Sequence, residues 1–498
     1  GFGGLSAAIR LQARGHDVTI LEKRDQWGGR AYQYEINGFK FDGGPTVLTA
    51  PHLFDELYAM AGKRREDYFQ MVPLDPFYRI FDERGEGFNY WRDRERSVEE
   101  VARFSPADVA GYRRFLEGTL DVFQNFYPYT EKAFETFGSF AKILPYVFRT
   151  GTWRSMYPYA AQFVKDEFMR KVCSFHPLLV GGNPFDTPTI YGLIIQFERE
   201  WGIHYAKGGT GAVVNGLGRL FLDLGGHIHF NTEVKEIVIK DRSARGVRLP
   251  DGSLLEADEV VCNGDVPFTY KHLIARQHRP RWVDAWLSSM TYSNSLVVTY
   301  FGTNRRYNTG KLAHHNLILP GDHRRQMRQI FGNRSLPPNP SLYLHMPSLT
   351  DATIAPEGCE SFYVLSLVPH LDAEISWGEA GPAYSSYVLR YLEDHFLPGL
   401  QSHIVAQHSI DPLHFRHTLN SEKGAAFSVK PTMMQSGYFR PANKSKVFDH
   451  LFFVGAGVHP GAGVPAVMAS GKIAAEMIAP LPADRLEPAW MNMMLAGT

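Results

Sequence analysis

The sequence predicts an α/β protein, α+β overall, on the basis of three observations. The chain opens on a glycine-rich turn that leads into an apolar helix and then a short strand at residues 18–21. Residues 97–196 have the spacing of aromatic-rich helices. From Gly208 onward, strand and helix patterns alternate again, as is typical of α/β folds.

The predicted layout is discontinuous, because α/β character is found at the beginning, the middle and the end of the chain. We expect three segments to form one nucleotide-binding domain of the Rossmann-like type: residues 1–70, 208–285 and 440–498. Two segments that contain strand patterns are expected to form a mixed-sheet substrate domain: residues 71–100 and 286–439. The remaining region is expected to form a helical cap with a candidate membrane contact: residues 101–207.

The composition excludes several classes of function. The 498 residues contain 52 Lys and Arg against 52 Asp and Glu, so the formal net charge is zero. Nucleic-acid-binding domains usually carry a basic excess, so no nucleic-acid partner is expected. Cys173, Cys262 and Cys359 lie far apart, which favours neither a disulfide framework nor a zinc site. This pattern indicates a reducing compartment and a cytoplasmic location.

The first four residues, Gly1-Phe2-Gly3-Gly4, have the spacing of the second half of a GxGxxG motif. Glycines let the backbone approach a pyrophosphate, and the following helix offers unpaired N–H groups. Glu22 ends the next predicted strand, where a carboxylate accepts hydrogen bonds from ribose hydroxyls. The first strand and first glycine of the motif are absent, so we expect an N-terminal segment to be missing. A glycine turn between packed elements is the alternative for the half-motif alone.

Two loops further along contain the groups that a cofactor longer than NAD requires. Gly28-Gly29-Arg30 follows Glu22, and a planar guanidinium can hold a diphosphate through two parallel hydrogen bonds. Residues 41–46 (FDGGPT) add another turn with accessible backbone. Asp42 within this turn is interpreted as a turn residue.

A third glycine-rich loop, residues 454–465 (VGAGVHPGAGVP), follows a predicted buried strand and precedes a helix. Pro465 suits the first position of that helix. The positive end of the helix dipole would stabilise the anionic form of a reduced flavin. An ordinary strand–loop–helix connection is the alternative. The three glycine-rich segments together predict FAD as the cofactor.

These motifs closely resemble those of the bacterial-type phytoene desaturases, which are FAD-dependent carotenoid desaturases with the glutathione-reductase-like, amine-oxidase-like flavoprotein fold. The resemblance covers nearly the whole chain. Residues 28–31 (GGRA) are shared with amine oxidases, whereas residues 459–463 (HPGAG) and 178–185 (LLVGGNPF) are more particular to carotenoid desaturases. Gly264 departs from the family pattern, in which alanine is usual.

The resemblance implies a tunnel for phytoene, an apolar C40 polyene, and successive desaturations toward neurosporene or lycopene by hydride transfer to the flavin. It implies oxygen or a membrane quinone as electron acceptor and assigns no side chain as an acid or base. Together, the motifs and the resemblance predict these cofactor-binding residues: Gly1, Phe2, Gly3, Gly4, Glu22, Lys23, Gly28, Gly29, Arg30, Pro45, Thr46, Val234, Asp265, Gly455, Gly457, Gly463, Val464 and Pro465.

Other functions stay open on the sequence alone. A neurosporene-type desaturase, a polyene isomerase or a ketolase would share the FAD frame and an apolar substrate. An amine oxidase would share the frame but needs an aromatic cage for a polar amine. A prenyl-lipid carrier resembling Rab GDP-dissociation inhibitors would use the fold without flavin catalysis.

Several other residues are functional candidates. Six aromatic residues are candidates for the tunnel wall, with core packing as the alternative: Phe77, Tyr78, Phe175, Phe185, Tyr191 and Phe197. The acidic cluster at residues 198–200 is interpreted as a solvated helix end. No metal site is expected at the histidines, because their spacing lacks the i, i+4 face of a zinc-binding helix: His314, His315, His408, His414 and His417.

An apolar stretch in the helical region indicates contact with a membrane surface, and core packing is the alternative. Its members recur at helical spacing beside basic residues: Phe137, Phe140, Leu144, Val147 and Phe148. Pro145 is expected to kink or break such a helix. No transmembrane helix is predicted, so the expected location is cytoplasmic with peripheral membrane association. The tail after Pro480 has no assigned role.

Overall fold

A computed structural model describes residues 1–134, 138, 141–319 and 321–481. Phe137 and Phe140 of the predicted apolar patch, and the C-terminal segment at residues 490–494, lie outside these described residues.

The α-helices and β-strands of the described residues are numbered here in chain order. The strands are β1 (Thr19–Leu21), β2 (Gln33–Ile36), β3 (Phe39–Asp42), β4 (Met71–Pro73), β5 (Tyr78–Phe81), β6 (Gly87–Tyr90), β7 (His204–Ala206), β8 (His227–His229), β9 (Glu236–Lys240), β10 (Ser243–Arg248), β11 (Leu254–Glu256), β12 (Val260–Cys262), β13 (Ser295–Thr303), β14 (His315–Ile318), β15 (Leu342–His345), β16 (Glu360–Val368), β17 (Ile404–Ile410) and β18 (Leu451–Phe453). The helices are α1 (Phe2–Ala13), α2 (His52–Met60), α3 (Arg94–Phe104), α4 (Val109–Phe126), α5 (Leu144–Thr150), α6 (Met156–Ala160), α7 (Glu167–Ser174), α8 (Leu193–Trp201), α9 (Thr210–Asp223), α10 (Val266–Phe268), α11 (Arg281–Ser289), α12 (His323–Arg328), α13 (Trp377–His395), α14 (Leu400–His403), α15 (Pro412–His417) and α16 (Val464–Ile478).

Short parallel strand pairs join distant parts of the chain. β1 lies parallel to β8, and β12 lies parallel to β18. These pairs connect the beginning of the chain to its middle and the middle to its end. The connections are those expected of a discontinuous domain, whose boundaries stay a prediction.

Helices α1 and α16 pack against each other at unusually close range. The Ser6 hydroxyl on α1 donates to the Met468 carbonyl on α16 at 2.7 Å. Gly471 makes this approach possible, because a Cβ atom at that position would lie 2.6 Å from the Gly3 carbonyl oxygen and 2.8 Å from the Ala7 nitrogen. The first two turns of α1 thereby lie directly against the second turn of α16.

A seven-stranded sheet forms the other large layer, in the order β17–β13–β16–β15–β14–β5–β6. β14 and β5 are parallel, and the other neighbours are antiparallel. Side chains alternate between the two faces of a strand. On β13, Val297 and Phe301 pack toward helix α13, in one cluster with Tyr384 and Leu392. The opposite face of the sheet is turned toward the predicted tunnel.

Helices α4 to α8 and the end of α3 lie in residues 101–207, the region predicted to be a cap. The helical pattern is interrupted at residues 142–143, and Pro145 lies in the first turn of the helix that follows, α5, in agreement with the predicted break. Among the described residues, no helix has both the length and the apolar character needed to cross a bilayer.

We predict that Gly471→Ala destabilises the protein by about 1–3 kcal/mol, because the added methyl group overpacks the contact between α1 and α16. The measurement is the free energy of unfolding from urea titration, together with the FAD content of the purified protein. We expect both quantities to fall.

Gly378→Ala in α13 is the matched control, since a Cβ atom at that position would meet no atom within 4 Å apart from its chain neighbours and the backbone of its own helix. It should be neutral or stabilise the helix by up to about 1 kcal/mol. Equal unfolding free energies for the two variants would contradict the close-packing argument.

Candidate active site

One cavity of about 1520 Å³ lies between the glycine-rich segments and the seven-stranded sheet. Pockets for single drug-sized ligands usually enclose about 300–1,000 Å³, so this space can hold more than one such group. All eighteen residues predicted to bind the cofactor line it. Their individual contacts with a cofactor stay a prediction.

The N-terminus of α1 forms one end of the cavity, and its glycines are required by close packing. A Cβ atom at Gly3 would lie 2.8 Å from Asn263 Oδ1 and 2.9 Å from the Gly455 nitrogen. A Cβ atom at Gly1 would lie 3.3 Å from the Gly28 carbonyl oxygen. Three other segments, at Gly28, Asn263 and Gly455, therefore meet the start of α1 so closely that a Cβ atom does not fit there. The Phe2 side chain turns away into the core and packs on Phe54.

The N-terminus of α16 faces the same cavity. Its N-cap residue is Gly463, with φ +102°, and no side chain caps this end of the helix. Pro465 lies in the first turn, as predicted. The N–H groups of Val464 and its neighbours have no capping side chain, so this end can bind a negatively charged group. Gly455 and Gly457 lie on the loop that leads into it.

Glu22 follows β1 directly at the cavity wall. Its backbone N–H donates to the His229 carbonyl at 2.9 Å, and its Oε1 accepts from the Arg24 N–H at 3.0 Å. Lys23 forms an ion pair with Glu233 at 3.0 Å, next to Val234. Position and chemistry agree with the predicted role of Glu22 toward ribose hydroxyls.

Arg30 contacts the protein itself more extensively than a simple diphosphate clamp would. Its Nε donates to the Ala426 carbonyl at 2.9 Å and its Nη2 to the Ser421 hydroxyl at 3.0 Å. Burial lowers the pKa of the Arg30 guanidinium, and the Asp265 carboxylate opposes this shift. Burial raises the pKa of Asp265, and both its hydrogen bonds and the positive charge of Arg30 oppose this increase. Arg30 stays charged, since arginine is not deprotonated in proteins.

Residues 43–46 cross the middle of the cavity and are fixed by tyrosines of the sheet. The Tyr300 hydroxyl donates to the Gly43 carbonyl at 3.0 Å, and the Tyr363 hydroxyl lies 2.6 Å from Thr46 Oγ1. Asp42 ends β3 and is buried, where it accepts hydrogen bonds from Gln33 Nε2 and from a backbone N–H of α9. Asp42 therefore joins two elements, and the interpretation as a turn residue is wrong.

The other half of the cavity is apolar. Its wall is formed by alternate residues of strands in the seven-stranded sheet and by residues beside them: Leu296, Val298, Leu317, Leu319, Leu365 and Leu367. These residues are not among those predicted from the sequence. The signal that could have found them is the alternation of side chains along the two long strands, β13 and β16. This alternation predicts that the cavity-lining residues of each strand lie on the same face of the sheet.

The aromatic candidates divide between wall and core. Tyr191 and Phe197 line the cavity, whereas Phe77, Tyr78 and Phe175 are buried in the core. Phe185, the remaining candidate, packs on a neighbouring tyrosine, with 4.4 Å between the two ring centroids.

The interpretation of residues 198–200 as a solvated helix end is wrong for Glu198, which is 1% exposed. It lies on the same inward face of α8 as Ile195, one turn earlier. Its Oε1 accepts from the Tyr78 hydroxyl at 2.7 Å, and its Oε2 lies 3.0 Å from His176 Nε2. These two partners satisfy a buried carboxylate that would otherwise be costly.

The observed donor set fits FAD. Two helix N-termini and a carboxylate at a strand end line one cavity, as required by an adenine dinucleotide with a diphosphate and a ribose. The apolar sheet wall extends the same space. This arrangement defines the class of the protein as a flavoprotein with a dinucleotide-binding fold.

Comparison with known proteins identifies the family. Residues 2–354 match the family model described as flavin containing amine oxidoreductase. A phytoene desaturase (lycopene-forming) from Pseudescherichia vulneris is 44% identical over 96% of this chain and 97% of its own length. A phytoene desaturase (neurosporene-forming) from Rhodobacter capsulatus is 39% identical over 97% of this chain and 93% of its own.

A solved structure supports the fold. The crystal structure of an oxidoreductase from Methanosarcina mazei superposes with a TM-score of 0.66 at 16% sequence identity and covers 96% of this chain and 98% of that chain. The chain therefore belongs to the flavin-containing amine oxidoreductase family, and within it to the bacterial-type phytoene desaturases. The predicted fold class, the FAD cofactor and the FAD-dependent oxidoreductase class are confirmed.

We predict that Glu22→Ala weakens FAD binding about 10-fold or more, because a charge-assisted hydrogen bond is worth about 1.5–3 kcal/mol. The measurement is the dissociation constant for FAD, obtained by titrating the apoprotein and following flavin fluorescence.

Glu35→Ala is the control, since Glu35 is an exposed glutamate of β2 outside the cavity. It should leave FAD affinity unchanged. Unchanged affinity in Glu22→Ala as well would exclude the ribose contact.

Proposed function

We propose that this protein catalyses the FAD-dependent desaturation of phytoene in carotenoid biosynthesis, with product toward neurosporene or lycopene. The observation that carries the proposal is the single cavity, which continues from the glycine-lined helix ends into the apolar sheet wall. Such a shape brings a redox cofactor against a long hydrocarbon. The 44% and 39% identical relatives named as phytoene desaturases support the same assignment.

When bound, FAD supplies the hydride acceptor for this oxidation. The residues of the chain position the two reactants. Gly1 to Gly4 and the first turn of α16 hold the cofactor, and Glu22 orients its ribose. The leucines of the sheet wall exclude water and align the polyene through apolar contact, because the substrate offers no polar group to bind.

The terminal electron acceptor is proposed to be oxygen or a membrane quinone. The number of double bonds introduced depends on how far the substrate advances along the apolar wall. The products therefore distinguish a neurosporene-forming from a lycopene-forming desaturase, and they would also reveal a polyene isomerase or a ketolase.

We further propose that the protein binds a membrane surface peripherally through α5 and the turn after it. Phe148 is 71% exposed and Trp153 is 55% exposed. Arg149 and Arg154 stand beside them, and apolar contact combined with basic residues favours anionic membranes. Ile143, which directly precedes α5, lines the cavity. This continuity supports a route by which a lipid-dissolved substrate enters.

We predict that cells that accumulate phytoene convert it to coloured polyenes when this protein is expressed. The measurement is chromatography with absorption spectra of the products, whose chromophore lengths give the number of new double bonds. An unchanged phytoene pool, with soluble FAD-loaded protein present, would contradict the proposed desaturation.

We predict that the double variant Phe148→Glu/Trp153→Glu binds anionic liposomes several-fold more weakly, because two apolar contacts are replaced by like charges. The measurement is co-sedimentation with vesicles that contain phosphatidylserine.

Trp282→Glu is the matched control, because Trp282 on α11 is also 55% exposed but lies elsewhere on the chain. It should bind liposomes as the parent protein does. An equal loss of liposome binding in Trp282→Glu and in the double variant would contradict a specific membrane patch at α5.

A further inference from the structure

A chain of hydrogen bonds leads from the cavity wall into the interior of the protein. Thr46 and Tyr343 both line the cavity. Thr46 Oγ1 lies 2.9 Å from the Tyr343 hydroxyl, and that hydroxyl lies 2.7 Å from His315 Nδ1. His315 itself is fully buried. The cavity is thus connected to a buried imidazole by two short hydrogen bonds.

A second group of hydrogen bonds continues beyond His315. His345 Nε2 lies 2.9 Å from His314 Nε2, and His314 Nδ1 lies 2.7 Å from Thr350 Oγ1. Thr350 is half-buried, so this branch ends close to solvent. Each of the three histidines has a ring nitrogen within 4.8 Å of the other two. His315 Nε2 has no hydrogen-bond partner in the part of the chain that the structure describes.

One water between His315 and the other two histidines would complete the path. One ring nitrogen of each histidine lies within 4.8 Å of the others, and His315 Nε2 has no hydrogen-bond partner among the described residues. With that water, the path from Thr46 to Thr350 is continuous.

The three histidines are electrically neutral in this setting. Burial lowers the pKa of His314 to about 3, and it lowers the pKa of His315 and His345 well below the usual value. A neutral imidazole accepts a hydrogen bond at one ring nitrogen and donates from the other. A row of such groups passes a proton along without holding a fixed charge.

The proposed reaction requires such a path. Each desaturation breaks two C–H bonds. The electron pair of the first leaves with the hydride, which the flavin accepts, and the pair of the second becomes the new π bond. One proton per double bond is left in a space walled by leucines, where an unsolvated charge is costly. It has to reach water.

We infer that Thr46, Tyr343, His315, His345 and His314 form the exit path for this proton. The inference rests on the proposed function. The C–H proton passes to Thr46 Oγ1 while the Thr46 proton moves to Tyr343 and the Tyr343 proton moves to His315 Nδ1. His315 releases its Nε2 proton through the water to the histidine pair, and the last proton leaves at Thr350. Each bond formed matches one bond broken. A C–H bond beside a developing allylic cation is acidic enough for a hydroxyl to accept its proton.

The geometry favours proton transfer over metal binding by the same histidines. A metal requires a lone pair from each ligand nitrogen, at about 2.0–2.1 Å for zinc. The 2.9 Å contact between His314 Nε2 and His345 Nε2 is a hydrogen bond, so one of these nitrogens carries a proton. Within the described residues, no carboxylate belongs to the cluster.

The test uses the FAD-loaded full-length chain with phytoene in liposomes, under anaerobic single-turnover conditions. The loss of the visible flavin absorbance reports hydride transfer, and it is measured in water and in deuterium oxide. Tyr343→Phe, which breaks the path at two hydrogen bonds, should slow this step about 100-fold. The wild-type rate should show a solvent isotope effect that Tyr343→Phe lacks.

His315→Gln is the second variant, because glutamine keeps a buried polar side chain but does not relay a proton. It should reproduce the loss of rate and of the isotope effect, with FAD content and phytoene binding unchanged. Tyr384→Phe is the matched control, since the Tyr384 hydroxyl bonds Ser366 on the opposite face of the sheet, away from the cavity. It should behave as the wild type.

The outcomes separate the inference from the function on which it rests. Wild-type rates and isotope effects in both Tyr343→Phe and His315→Gln would overturn the proton path alone. One equivalent of a divalent metal in the purified holoenzyme, lost in His315→Gln, would also overturn it. No flavin reduction by phytoene in the wild type would overturn the proposed function, and the inference with it.

Discussion

The contact between α1 and α16 at Gly471 is the constraint on which the cofactor half of the site depends. Two helix N-termini can serve one ligand only when they lie side by side, and ordinary side chains would hold the helices apart. Gly471 removes that obstacle, and the Ser6 hydroxyl fixes the approach with a hydrogen bond to the Met468 carbonyl. The parallel pairing of β12 with β18 then places the loop that leads into α16 beside Gly3.

The sequence predicted the local parts of this arrangement well. Glycine spacing, Glu22 at a strand end and Pro465 at a helix start are each recognisable within a few residues, because each depends on local backbone geometry. All eighteen residues predicted to bind the cofactor line one cavity, and their contacts with FAD stay a prediction. Their convergence depends on pairing between the ends of the chain.

What the sequence did not reveal depends on long-range packing. Glu198 stands in a charged triplet and was interpreted as solvated, yet its burial follows from the face of α8 that meets Tyr78 and His176. The apolar wall was missed because it is distributed over several strands that pair only in the folded sheet. The two protein partners of Arg30 could not be predicted because residues 421 and 426 are almost 400 positions away, whereas its contact with a diphosphate stays a prediction.

The Arg30 contact also has a thermodynamic consequence. It attaches the glycine loop of the cofactor half to the segment that carries Ala426 and Phe427, both of which face the cavity. A ligand that orders one of these segments lowers the entropy still to be lost when the other is ordered. Such coupling is reciprocal. The factor by which bound cofactor raises the affinity for substrate is the factor by which bound substrate raises the affinity for cofactor.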